Sequence, residues 1–134
     1  MQCYNYNTRK FFLFGARIFF GCWLLYVGLA KWIFVGPETF VGMIVGDFDK
    51  TWSPHFFNVA LGWLIMLAEP LLALWLLSGQ KPRSAWTLTA LLMFLLTMGQ
   101  TILMKAEVSD NWQYLVLALA CAAMHEPETA AKNC

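Results

Sequence analysis

The stretch WLIMLAEPLLALWLL, residues 63 to 77, decides the fold class of this chain. It is almost entirely apolar, yet it carries one carboxylate, Glu69, which Pro70 follows directly. A carboxylate in an apolar environment is costly unless a partner compensates its charge. The stretch therefore predicts an apolar helix in which Glu69 has either a buried partner or a functional role.

The composition of the whole chain predicts a membrane protein. The 134 residues are 60% hydrophobic and 13% charged, whereas soluble domains are about one quarter charged. Seven Trp and eleven Phe add more apolar surface than a globule of this size can bury. The net charge of +1, without a basic cluster, predicts no nucleic-acid partner.

Four segments have the character of transmembrane helices. Such a helix needs ~20 mostly apolar residues to cross ~30 Å of hydrocarbon. The predicted spans are residues 11–35, 58–79, 86–104 and 108–125. Residues 36–57 are too apolar for a free loop and too short to span, so we expect them to cap the bundle. The predicted fold is one all-α membrane domain over residues 1–134, a four-helix transmembrane bundle with an outer capping segment.

The distribution of Lys and Arg predicts how the chain is oriented. The larger group, on the side of both termini, is Arg9, Lys10, Lys81, Arg83 and Lys132, and the smaller is Lys31, Lys50 and Lys105. The positive-inside rule then predicts a multi-pass membrane protein with both termini cytoplasmic. We do not expect the first apolar run to be a cleaved signal peptide, because it is too long and Arg17 interrupts it.

Two charges, Arg17 and Glu69, lie inside predicted spans. At 1.5 Å per residue, Arg17 is roughly 9 Å and Glu69 roughly 13–15 Å from the cytoplasmic ends of their helices. Similar depth on neighbouring antiparallel helices predicts an ion pair, which either only joins the helices or also forms part of a ligand site. Pro70 has no N–H to donate to the carbonyl of Met66, so we expect a polar niche beside Glu69.

Further side chains in the predicted outer half could line a pocket above this pair. These pocket candidates are Lys31, Gln100, His55 and Trp112. Structural roles are open for them too, since a lysine can snorkel to the interface, a glutamine can bond across helices and a tryptophan can join the aromatic belt. The four scattered cysteines predict no disulfide framework, and we predict no metal site and no catalytic set.

A series of short motifs runs along most of the chain, over about residues 9 to 124. In chain order these are Arg17, Gly28-x-x-Lys31, Glu69, Leu76-Leu77, Gly79 and Arg83-Ser84-Ala85. They resemble the pattern of the DoxX family (DoxX/DoxD type), with departures at Pro70 and at Ala73. The resemblance implies a four-helix protein of the inner (plasma) membrane, similar to the small subunit of thiosulfate:quinone oxidoreductase. It also implies an association with oxidoreductases. The residues themselves predict no intrinsic cofactor, because we find no site for an electron-carrying group.

Three functions remain open at this point. The first is a non-catalytic or quinone-interacting subunit of a membrane redox system, in which any bound molecule is a quinone or a lipid. The second is a scaffold or assembly factor whose bundle and outer segment, above all residues 40–52, bind another membrane protein. The third is a small proton-coupled transporter that uses Glu69, although a neighbouring Arg17 would hold that carboxylate ionised. The expected partners of the chain are membrane lipid and another membrane or redox protein, or a second copy of the chain.

Overall fold

The computed structural model describes residues 2–103 and 108–125, with side chains for residues 8–103 and 111–125. Over these residues the chain is helical and contains no β-strand, so the all-α prediction is confirmed. The helices are α1 (Gln2–Ala30), α2 (Pro37–Phe48), α3 (His55–Ser78), α4 (Pro82–Ile102) and α5 (Val108–Met124), with a π-helical segment at Lys31–Val35. Met104, Lys105 and Lys132, which entered the predictions above, lie outside the described residues.

Three helical stretches are long and apolar enough to cross a membrane: Thr8–Val35, His55–Ser78 and Pro82–Ile102. Asn111–Met124 forms a shorter apolar helix. Many large apolar side chains on the outward faces are exposed, such as Leu71 at 63%. Lipid tails can cover such faces at little cost, whereas water cannot. The chain is thus a multi-pass membrane protein.

The long helices pack as antiparallel neighbours. Helix α1 lies along α3, α4 lies along α5, and α3 also contacts α4. Small residues allow close approach between α1 and α3: Gly21 faces Ala73 and Leu77, and Gly28 faces Pro70. The larger buried side chains fill the core between the helices; they include Phe20, Leu24, Leu76, Trp86 and Met93.

The segment predicted to cap the bundle contains a helix, α2. Pro37 occupies its first turn, where the missing N–H of proline costs no helical hydrogen bond. Val41 of α2 packs against Gly62 of α3, and Phe48 packs against Gly99 of α4. These contacts place α2 at one end of the helix assembly, which we call the Lys31 end. The opposite end, where α3 stops and α4 begins, is the Gly79 end.

Candidate functional site

Glu69 is the buried charge of α3, and its partner is Lys31. Lys31 Nζ donates a hydrogen bond to Glu69 Oε1 at 2.5 Å. The side chain of Glu69 is 2% exposed and that of Lys31 is 21% exposed. The ring of Phe40, on α2, has its centroid 4.9 Å from Lys31 Nζ, within the range of a cation–π contact. The ion pair therefore connects the end of α1 with both α2 and α3.

The predicted ion pair between Arg17 and Glu69 is wrong. Arg17 lies at Gly79, where its guanidinium occupies the space that a Cβ on that residue would fill, and it contacts the ring of Phe14 at 5.3 Å. Glu69 is instead level with Gly28, about 16 Å further along α1 than Arg17 at 1.5 Å per residue.

The direction of the side chains explains the change of partner. Each Cα–Cβ bond in a helix tilts toward the helix N-terminus. Because α1 and α3 are antiparallel, Arg17 leans toward the Gly79 end while Glu69 leans toward the Lys31 end. Lys31, at the end of α1, leans back toward Glu69. The two side chains that meet are those whose tilts converge.

The polar niche predicted at Pro70 exists, but Trp32, from the π-helical segment after α1, fills it. Pro70 leaves the carbonyl of Met66 without a helical donor, and Trp32 Nε1 donates to that carbonyl at 3.1 Å. A Cβ on Gly28 would lie 3.1 Å from Pro70 Cδ, tighter than an ordinary van der Waals contact, so the glycine favours this close approach of α1. Gly28, Lys31 and Trp32 are spaced i, i+3 and i+4 and therefore share one helix face.

One oxygen of the buried carboxylate remains unsatisfied. Glu69 Oε2 is buried and has no hydrogen-bond partner among the described residues. Buried polar atoms normally have a partner, and a carboxylate can accept several hydrogen bonds. Arg17 Nε and Trp86 Nε1 are likewise buried without a partner in the part of the chain that the structure describes. Glu69 Oε2 differs from them because it adjoins an ion pair whose cation is partly exposed, and we therefore treat Lys31 and Glu69 as the candidate site.

The structure gives two other pocket candidates different surroundings. Gln100 Oε1 accepts a hydrogen bond from Asn111 Nδ2 at 2.7 Å, which joins α4 to α5. Trp112 is 51% exposed on α5. Their positions fit the structural roles of interhelical bonding and aromatic belt better than a shared pocket with Glu69.

His55, the last pocket candidate, belongs to a network in the turn between α2 and α3. Its Nδ1 lies 2.8 Å from Asp49 Oδ2, and Asn58 Nδ2 donates to Asp49 Oδ1 at 2.8 Å. Ser53 Oγ donates to Asn58 Oδ1 at 2.5 Å. The hydrogen bonds from His55 and Asn58 hold the pKa of Asp49 below its usual value. His55 therefore helps to hold the turn between α2 and α3 in shape.

Sequence reasoning missed two contributors to the candidate site, Trp32 and Phe40. The spacing of Trp32 from Gly28 and Lys31 is a usable sequence signal, because it places all three on one face of a continuous helix. No local pattern could indicate Phe40, since its contact with Lys31 depends on how α2 folds back. Among the side chains that the structure describes, residues 8–103 and 111–125, no group of three or more His, Cys, Asp or Glu could hold a metal ion.

The chain matches a known protein family over most of its length. Residues 9–111 match the family model described as "Methylamine utilisation protein MauE". The chain belongs to the MauE family. The MauE match runs from α1 to the start of α5 and includes both Lys31 and Glu69. No curated protein and no solved structure matches the chain.

The MauE match overturns the resemblance to the DoxX family. The residues behind that resemblance have general structural roles here. Gly28 allows two helices to approach, Gly79 ends α3 with a positive φ of 71°, and Lys31 neutralises a buried carboxylate. Helical membrane proteins of different families need such features, so these short motifs did not discriminate between them.

Proposed function

We propose that this MauE-family chain is a non-catalytic membrane component of a redox system that uses methylamine. The observation that carries the proposal is the family match over residues 9–111. Oxidation of a primary amine to an imine removes two electrons and two protons, so this route of methylamine use needs a redox enzyme and an electron acceptor. The long apolar helices of this chain support the role of a membrane-embedded partner of such an enzyme.

The proposed arrangement has four spans, with α5 as the fourth, in the inner membrane and with both termini cytoplasmic. The distribution of cations supports it. Arg17, Lys81 and Arg83 lie at the Gly79 end, where Arg9 and Arg17 also act electrostatically on His125. The positive-inside rule assigns this end to the cytoplasm. The Lys31 end then faces the opposite side, with α2 at the membrane surface.

In this arrangement the Lys31–Glu69 ion pair orients α2 relative to the spans. Lys31 pairs with Glu69 of α3 and contacts the Phe40 ring of α2, so it links α2 to the end of α1 and to α3. The turn after α2 presents Trp52, which is 85% exposed, and Phe56 follows at 75%. Aromatic residues of this kind are enriched where proteins bind one another. We propose the surface formed by Trp52 and Phe56 as the contact with the redox partner.

A scaffold or assembly factor is the second candidate function, and the same exposed Trp52 favours it. A proton-coupled transporter is less well supported, because Lys31 compensates the charge of Glu69. A bound quinone or lipid, or a second copy of the chain, is compatible with the first two functions. The same purification tests for each of them.

The test is purification of the tagged chain from its native membranes in mild detergent, with mass spectrometry of proteins and of extracted quinones and lipids. We expect a redox protein in stoichiometric amount. Trp52→Ser with Phe56→Ser should remove that partner, whereas Trp112→Ser, an exposed aromatic on α5, should not. A partner of non-redox character would favour the assembly factor.

Deletion of the gene should abolish growth on methylamine alone, and unimpaired growth would contradict the proposed function.

A further inference from the structure

We propose that Glu69 is a binding site for small primary alkylammonium ions and that Lys31 is its built-in competitor. The Lys31 side chain ends in a primary alkylammonium group, and the structure shows what holds it. Glu69 Oε1 accepts its hydrogen bond at 2.5 Å, and the Phe40 ring lies 4.9 Å from Nζ. A carboxylate and an aromatic face both attract an ammonium ion, and both attractions are stronger where water is excluded.

The unsatisfied oxygen indicates that Lys31 does not fully satisfy this site. Lys31 Nζ bonds Oε1, while Oε2 is buried without a partner among the described residues. The lysine is attached to the end of α1, which restricts the positions its Nζ can reach. A free alkylammonium ion has three N–H donors and no such attachment. It can therefore donate to both oxygens of Glu69 at once.

Because of charge balance, an alkylammonium ion that binds Glu69 must replace the ammonium group of Lys31. A buried carboxylate compensates one cation, and a second cation beside it would leave an uncompensated charge in a low dielectric. Lys31 is 21% exposed and lies at the end of α1, so its flexible side chain can turn toward the surface when another cation arrives. The space vacated by its ammonium and last methylenes then accommodates a small ion.

The site also sets limits on the ligand. The backbone around it is tight, since a Cβ on Gly28 would lie 3.1 Å from Pro70 Cδ and 3.3 Å from Glu69 Cβ. A quaternary ammonium ion is bulkier and has no N–H to donate. We therefore expect the site to select primary alkylammonium ions with short chains. This inference rests on the proposed function only for its physiological role, because binding can be measured on the isolated chain.

The experiment is a titration of the purified chain in lipid nanodiscs with methylammonium chloride at constant ionic strength, followed by calorimetry. The wild-type chain should show saturable binding that tetramethylammonium does not reproduce. Glu69→Gln should weaken it by at least about tenfold, since the carboxylate is lost. Lys31→Met should strengthen it by at least about tenfold, since the competitor is lost. Lys50→Met, which removes an exposed cation outside the site, should leave it unchanged.

The Lys31 variant separates this proposal from a purely structural ion pair. A structural pair predicts that Lys31→Met only destabilises the chain and gains no affinity for amines. If that variant does not fold, Lys31→Gln carries the same expectation with a polar side chain of similar length. Absence of saturable binding in both the wild type and the Lys31 variant would overturn the proposal, as would binding that survives Glu69→Gln. Co-purification with a redox partner is independent of this result, so the two proposals fail separately.

Discussion

Gly28 of α1 packs directly on Pro70 of α3, where a Cβ on residue 28 would lie 3.1 Å from the proline Cδ. The contact sits beside the Lys31–Glu69 ion pair and the hydrogen bond from Trp32 to the Met66 carbonyl. A glycine, a proline, an ion pair and an indole thus form one interface between the two helices. Each of its parts can be tested separately.

The close approach at Gly28 can be tested by adding one methyl group. Gly28→Ala should lower the free energy of unfolding by ~1–3 kcal/mol, because backbone and ring atoms of Pro70 must shift. Gly15→Ala on the same helix is the matched control, since nothing lies within 4 Å of a Cβ there. The control should be neutral or stabilising by up to ~1 kcal/mol. Unfolding by denaturant in detergent micelles measures both, and equal effects would contradict the packing.

Removing the lysine and removing the glutamate of the ion pair should lower stability by different amounts. Lys31→Met leaves a buried carboxylate without a cation and should cost ~3–5 kcal/mol. Glu69→Gln should cost less, because Lys31 is partly exposed and can turn toward the surface. The double variant should be more stable than Lys31→Met alone, whereas the exposed Lys50→Met should change little. Thermal unfolding in one detergent ranks the four variants, and a mild Lys31→Met would show that the pair contributes little.

The hydrogen bond from Trp32 to the Met66 carbonyl predicts that substitutions of Trp32 and Pro70 have non-additive effects on the free energy of unfolding. Trp32→Phe should cost ~1 kcal/mol, the usual net value of a hydrogen bond. Pro70→Ala restores an N–H that can satisfy the same carbonyl, so Trp32→Phe should cost less in that background. A double-mutant cycle of unfolding free energies measures the coupling. Strictly additive effects would mean that the Trp32 indole and an N–H at residue 70 do not compete for the Met66 carbonyl. Trp112→Phe is the control for loss of an exposed indole.

The turn between α2 and α3 predicts a dependence of stability on acid pH. Hydrogen bonds from His55 and Asn58 lower the pKa of Asp49 below its usual 3.8. A lowered folded-state pKa means that Asp49 contributes stability fully above the unfolded value and loses it as the pH falls through the folded value. Asp49→Asn should therefore flatten the acid limb of the unfolding temperature against pH, while Glu38→Gln on the exposed side of α2 should not. Identical acid limbs for wild type and Asp49→Asn would exclude this role.

The sequence by itself determined that the chain is helical and crosses a membrane. Crossing hydrocarbon needs ~20 apolar residues whose backbone bonds are satisfied internally, and composition and segment length reveal this directly. The same local reasoning found the two features of α3 that matter, because a buried carboxylate and a proline within a helix are costly wherever they occur.

Only the tertiary structure decided which cation meets Glu69. Counting residues from the predicted helix ends suggested Arg17, but the packing of Gly28 on Pro70 sets a register that brings Lys31 to the carboxylate instead. Side-chain tilt acts in the same direction, since antiparallel helices bring together only side chains whose tilts converge. Phe40 joins the site because α2 folds back along α3. The register of α1 against α3 and the position of α2 along α3 depend on contacts between residues far apart in the chain. Local sequence patterns therefore do not reveal them.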